Sequence, residues 1–179
     1  MQWILSEVNI EADSISKLID LDDWEITIDF FNILNKKWGP FTIDRFARPA
    51  RPESTKVPRF NSKYYVPGTE GVNALSKDWT CENNLLLPPT KLIPRVLKHL
   101  KEKPTVGTLV IPHWKSASFW PMICSDYYRW MIKDSFIVTN GSSILTTNEN
   151  DLIILSRNTY RGAMLVCRID STNNFPRQE

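Results

Sequence analysis

A chain of 179 residues with 42% hydrophobic content, seven Trp and eight Phe holds enough apolar material for one packed domain, which excludes general disorder. No apolar run approaches the roughly 20 residues needed to span a bilayer. The net charge of +2 hides an asymmetry: residues 1–29 hold eight acidic residues and one Lys, a net of −7, so the rest carries +9.

The opening "MQWILSEVNIEAD" turns acidic at once and does not read as a signal peptide. Asp13 or Ser14 is suited to cap a helix with Ile15, Leu18 and Ile19 on one face. "DLDDWEITIDFFNILNKKWG" predicts a second helix with Asp22 or Asp23 as N-cap, Trp24, Ile28, Phe31 and Leu34 at helical spacing, and Gly39-Pro40 as its stop. "FTIDRFA" (41–47) predicts a short strand with Asp44 near its C-terminal end.

The stretch "RPARPESTKVPRFNSKYYVPGTEG" follows, an irregular loop with four prolines and two glycines. Residues 36–63 hold Lys36, Lys37, Arg45, Arg48, Arg51, Lys56, Arg59 and Lys63 against Asp44 and Glu53, a local +6 compatible with phosphate contacts. A solvated basic loop is the plainer reading. "GVNALSKDW" can hold a short strand, "NLLLPP" reads as a buried strand stopped by prolines, and "KLIPRVLKHLKEK" as the helix after it, with Pro94 near its first position. "VGTLVIPHW" is a further buried-type strand. "SASFWPMICSDYYRWMI" reads as helical, and "DSFIVTN", "DLIILS" and "GAMLVCRI" as three last strands before a polar tail. Cys81, Cys124 and Cys167 form no CxxC pair or zinc spacing and read as reduced thiols of an intracellular protein, cytoplasmic or nuclear. This alternation predicts an α/β fold: a three-layer, Rossmann-like, mostly parallel sheet with an N-terminal helical segment.

Ligands of an open parallel sheet bind outside the carboxyl ends of its strands. Three stretches fall there: Asp44-Arg45-Phe46-Ala47, Leu87-Pro88-Pro89-Thr90 and Pro112-His113-Trp114. A strand ending in Asp/Asn-Pro-Pro-Tyr/Phe is the active element of amino-directed DNA methyltransferases. The polar side chain and a diproline carbonyl accept hydrogen bonds from the target amino group, and the aromatic stacks on a flipped base. Here Leu87 has no acceptor and Thr90 no ring, so only Pro88-Pro89 stands, and a diproline that merely ends a strand is the plainer reading. Asp44 is better suited to cap a turn than to meet a cofactor, and His113, beside Trp114, to pack. His99 and His113 lie on different elements, so no metal site is expected, and no Ser/His/Asp set, P-loop or GxGxxG occurs.

"WGPFTIDRFA", "PRFNSKYYVPGTEGVNALSKDW", "ENNLLLPPTKLIPRVLKHL" and "GTLVIPHWKSASFWPMI" together resemble the region after reverse transcriptase and RNase H in polyproteins of DIRS-type, tyrosine-recombinase retrotransposons, over roughly residues 20–170. The resemblance implies a degenerate DNA adenine methyltransferase-like domain with "FTIDRFA" as first core strand. "SEVNIEADSISK" is similar to the end of a retroelement RNase H, with Asn9, Ala12, Asp13 and Ser16 on its motif. Asp13 would then be the last metal-binding carboxylate, catalytic only when joined to upstream carboxylates that hold two Mg²⁺ about 4 Å apart. The expected layout is an RNase H-like tail and linking helix over 1–38, the methyltransferase-like domain over 39–170 and a polar tail over 171–179.

The expected function is non-catalytic: binding DNA or RNA, or scaffolding the upstream reverse transcriptase/RNase H segment, with no membrane partner and no resident cofactor. S-adenosylmethionine is disfavoured because no Gly-rich loop follows "FTIDRFA", methyl transfer is disfavoured by Leu87 and Thr90, and Mg²⁺ belongs only to a complete RNase H. The degenerate cleft comprises Asp44, Phe46, Leu87, Pro88, Pro89, Thr90 and His113. Arg48, Arg51, Lys56, Arg59 and Lys63 would contact phosphates, with Phe60, Tyr64 and Tyr65 as stacking surfaces. A divergent active methyltransferase and an inert truncated relic are the alternatives.

Overall fold

The computed structural model describes residues 24–48, 56–147 and 153–172. In chain order the regular elements are α1 (Ile28–Trp38), β1 (Ile43–Asp44), β2 (Asn83–Leu86), α2 (Ile93–Glu102), β3 (Val106–Pro112), the short helices α3 (Trp120–Ile123) and α4 (Asp126–Arg129), β4 (Ile132–Val138) and β5 (Met164–Asp170). They build one open five-stranded sheet of order β1-β2-β3-β5-β4. β1, β2 and β3 run parallel, with Leu85 beside Asp44 and beside Thr108. β5 runs antiparallel to both β3 and β4. The sheet is therefore mixed, and parallel at one end.

Both faces of the sheet are covered, because side chains alternate across a strand. Leu85, Leu87, Val110 and Val166 pack with Phe30, Phe31 and Leu34 of α1 on one face. Leu86, Leu109, Ile111, Cys167 and Ile169 meet Ile93, Val96, Leu97 and Leu100 of α2 and Ile123 and Tyr128 of α3 and α4 on the other. β2 and β3 approach closely at Gly107, where a Cβ would come within 2.6 Å of the Asn84 carbonyl oxygen. The cysteines are free thiols, and burial pushes the Cys167 thiol up to about 12.

Several boundaries differ from the sequence expectation. The helix expected from Asp22 or Asp23 begins only at Ile28, where the Thr27 hydroxyl accepts from the Phe30 amide. Trp24 and Ile26 lie before it, Ile26 bridging Leu145, and both are buried off the helix, whereas Ile28 is 55% exposed. Three β-branched residues in a row, Ile26-Thr27-Ile28, favour that extended entry. "FTIDRFA" gives two strand residues before the chain turns at Arg45, and "GVNALSKDW" gives a 3₁₀ turn over Ala74–Ser76 and one bridge, Ser62 to Val72.

The aromatic segment is two short helices, not one: Ser125 is extended and its hydroxyl donates to the Met122 carbonyl. The described part of "DLIILS" is no strand. Both edges of β5 are already taken, and the Thr159 hydroxyl donates to the carbonyls of Ile153 and Ile154. The sheet is less parallel than expected because β5 returns antiparallel. The helix expected after Asp13, Asp13 itself and Arg51 lie outside the described residues. Among those described, no helix is long and apolar enough to cross a membrane.

Candidate functional site

The parallel strands bring the ends of β1 and β2 to one edge of the sheet. There the chain forms a cavity of about 270 Å³, lined by Arg45, Phe46 and Ala47 after β1, Lys63, Asn73 to Leu75 of the connecting loop, and Pro89, Lys91, Leu92 and Arg95 around the start of α2. No Asp or Glu lines it among the described residues.

Arg45 is the organising residue, 4% exposed. Its Nε donates to Asn84 Oδ1 at 2.6 Å, one Nη to Asn61 Oδ1 at 2.9 Å and the other to the Asp78 carbonyl at 2.9 Å. Its guanidinium also lies 5.8 Å from the Trp79 ring centre. Asn84 is fully buried and donates in turn to the carbonyls of Trp79, Glu82 and Val106. These bonds tie β1, β2, β3 and the loop into one buried polar network. Burial holds the Arg45 pKa below its usual value.

Asp44 does not line the cavity. Its carboxylate accepts from the Phe46 amide at 3.0 Å, closing the turn after β1. Burial raises its pKa from 3.8 to about 7, against the Phe46 hydrogen bond and the charge of Lys56. Phe46 sits edge-on to Trp79 at 6.1 Å. Leu87 is buried in the α1-side core. The Pro88 carbonyl already accepts a hydrogen bond, from the Trp24 indole at 2.9 Å in a buried setting, and Pro89 O accepts from the Leu92 amide. Thr90 opens the 3₁₀ turn into α2. His113 packs edge-on to Trp120 at 4.7 Å, away from the cavity. Of the cleft residues expected, then, Phe46 and Pro89 line one cavity, and Asp44, Leu87, Pro88, Thr90 and His113 do not.

Trp24→Phe tests how far Pro88 depends on that indole. Losing the donor leaves a buried carbonyl without its partner, an expected cost of about 1–3 kcal/mol by chemical denaturation. A change below about 0.5 kcal/mol would show that solvent or another donor replaces it.

The expected phosphate contacts divide. Lys56 is ion-paired to Glu25. Arg59 makes a two-point pair with Glu70 (2.6 and 2.9 Å) and a third bond to Glu82 at 2.8 Å, and this pairing lowers the Glu70 pKa. Arg48 is half-buried at the edge of the described residues. Lys63 lines the cavity with its ammonium 5.2 Å from the Tyr64 ring centre, and Tyr64 and Tyr65 are exposed.

A second basic surface lies on α2, a helix expected from the sequence but given no binding role there. Lys91, Arg95, Lys98 and Lys101 recur at three- and four-residue intervals and are all exposed, a stripe about 15 Å long on the outer side of α2. Lys98 lies 3.8 Å from Glu102, and the Lys101 ammonium sits 4.5 Å from the centre of the half-exposed Tyr127 ring. A shallow groove of about 750 Å³ runs between this stripe and Met122, Tyr127 and Tyr128. Arg95 lines both groove and cavity, so the basic surface is continuous. The signal was present in "KLIPRVLKHLKEK", where Lys91, Arg95, Lys98 and Lys101 are exposed between the buried Ile93, Val96, Leu97 and Leu100. Among the described residues no group of His, Cys, Asp and Glu could hold a metal ion.

Compared with known proteins, the chain matches no family model and no curated protein.

Proposed function

We propose that this chain is a methyltransferase-like α/β domain of retroelement origin that binds nucleic acid through the basic face of α2 and the adjoining cavity, without transferring methyl groups. The observation that carries the binding half is the stripe Lys91, Arg95, Lys98 and Lys101 running from a cavity with no described carboxylate in its lining to the ring of Tyr127. Cations spaced along one face suit a phosphate backbone, and a half-exposed Tyr beside a Lys suits an unstacked base. The side chains of Arg59 and Lys56, engaged by carboxylates, make the loop a weaker candidate than the helix.

Support for the non-catalytic half lies at the diproline. The backbone oxygen that would receive a target amino group is held by the Trp24 indole, Leu87 offers no acceptor, and Thr90 offers no ring. Scaffolding of an upstream reverse transcriptase and RNase H remains part of the proposal through residues 1–38, where the resemblance places an RNase H-like tail and linking helix. The test of this half is direct: the full chain, incubated with labelled S-adenosylmethionine and duplex DNA, is expected to retain no label on the DNA and to show no saturable uptake of the cofactor. Transfer to adenine would overturn it.

A further inference from the structure

The cavity holds a charge arrangement that backbone binding along α2 does not require. Arg45 is buried, yet all three of its hydrogen-bond acceptors are neutral: two amide oxygens and one backbone carbonyl. A guanidinium has five N–H donors, so these bonds leave donors over. A buried cation without a counter-charge in contact is costly. The carboxylates nearest in the network are otherwise engaged. Glu70 and Glu82 are bonded by Arg59, the Asp78 carboxylate accepts from the Thr80 amide, and Asp44 is turned onto the Phe46 amide. Lys63, Lys91 and Arg95 add positive charge around the same space, while Phe46, Leu75, Pro89 and Leu92 give it apolar walls.

We propose that this cavity is a binding site for a phosphomonoester carrying a small apolar or aromatic body. Glu82, Glu70 and Asp78 act on Arg45 only through space. A dianion set against Arg45 and Arg95 adds a counter-charge in contact through charge-assisted hydrogen bonds, while the ring or alkyl body replaces water on the apolar walls. The volume of about 270 Å³ lies just below the roughly 300–1,000 Å³ usual for ligand sites, so the ligand is compact. Two sources share this chemistry, a free phosphorylated small molecule and the phosphorylated end of a nucleic-acid strand. The inference does not rest on the nucleic-acid reading and survives its failure if the source is free.

Calorimetric titration of the full chain with phenyl phosphate tests it, with benzyl alcohol as the neutral control. Phenyl phosphate is expected to bind and benzyl alcohol not to. Ala47→Trp, which fills the cavity, and Arg95→Gln, an exposed position that spares the fold, are each expected to weaken phenyl phosphate by roughly tenfold. Lys101→Gln, at the far end of α2, leaves it unchanged while weakening oligonucleotide binding. A chain that takes no phenyl phosphate, or takes it equally well after both cavity substitutions, overturns the proposal. A single-stranded oligonucleotide with and without a 5′-phosphate assigns the source. Preference for the phosphorylated strand supports a strand end, and equal affinity with undiminished phenyl phosphate binding supports a free ligand.

Discussion

Trp79→Ala is expected to destabilise the chain by about 3–5 kcal/mol, the range for emptying a fully buried aromatic site. The side chain is completely buried and joins three parts of the structure. Its indole donates to the Ala74 carbonyl at 2.8 Å and fixes the 3₁₀ turn. Its ring lies 4.1 Å from that of His99 on α2 and edge-on to Phe46 after β1. His99 Nε2 is buried with no hydrogen-bond partner among the described residues, and the Trp79 ring packs against the same imidazole. Alanine would leave a void and remove one of two hydrogen bonds to the Ala74 carbonyl, which keeps that from the Lys77 amide. Against a usual total of about 5–15 kcal/mol, this loss threatens folding at ambient temperature. Urea unfolding measures it, as a fall in midpoint with an unchanged slope. A loss under about 1 kcal/mol would mean that the loop, β1 and α2 do not share one core at this residue.

Asp44→Asn is expected to act in the opposite direction, with a gain that grows from about pH 4 and is complete above pH 7. Burial raises the Asp44 pKa in the folded chain from 3.8 to about 7, so between those values the folded state holds a proton that the unfolded state has lost. Stability contributed by this group is fully present below pH 3.8 and falls as pH rises through 7, by about 4 kcal/mol at about 1.4 kcal/mol per unit. Asparagine mimics the protonated acid and keeps an oxygen for the Phe46 amide. The variant should therefore match the wild type near pH 4 and exceed it by a few kcal/mol at pH 8. His99 gives a slope of opposite sign: burial, then the charge of Lys103, lower its pKa, so its contribution is lost as pH falls. Because that slope is common to both proteins, their difference isolates Asp44. Parallel stability curves from pH 4 to 8 would show that the carboxylate is ionised in the folded chain at no cost.

The buried strands were legible because their signal is local. "NLLLPP" and "VGTLVIP" are apolar runs bounded by prolines, and both are strands of the parallel end. α2 was legible from Pro94 and its four-residue apolar spacing. The late start of α1 was not, because Asp22 and Asp23 are good caps by type, whereas the entry of the chain is fixed by Trp24 reaching Pro88, a contact 64 residues away. That the described part of "DLIILS", residues 153–156, is no strand was equally hidden. Its β propensity is high, but β5, the strand that follows it, pairs on both sides with β3 and β4, and the Thr159 hydroxyl takes the Ile153 and Ile154 carbonyls instead.

The site divides along the same line. Asp44 and Phe46 could be placed at a strand end from the sequence, but Arg45 between them could not be recognised as the centre of a network. Its partners Asn61, Asp78 and Asn84 are 16, 33 and 39 residues away. Counting charges pointed to Lys56 and Arg59, since composition does not reveal that Glu25, Glu70 and Glu82 pair with them.

The central claim is binding of nucleic acid by the outer face of α2, and the salt dependence of affinity tests it most directly. Binding of the full chain to a labelled single strand, measured by fluorescence anisotropy from low to physiological salt, should weaken linearly on logarithmic axes, with a slope of about −0.7 per phosphate neutralised. The variant Lys98→Ala/Lys101→Ala removes two of the proposed contacts, so its slope should be shallower by about 1.4, while Lys36→Ala/Lys37→Ala on α1 leaves the slope unchanged. Equal slopes for the wild type and the α2 variant, or no binding at low salt, would contradict the account.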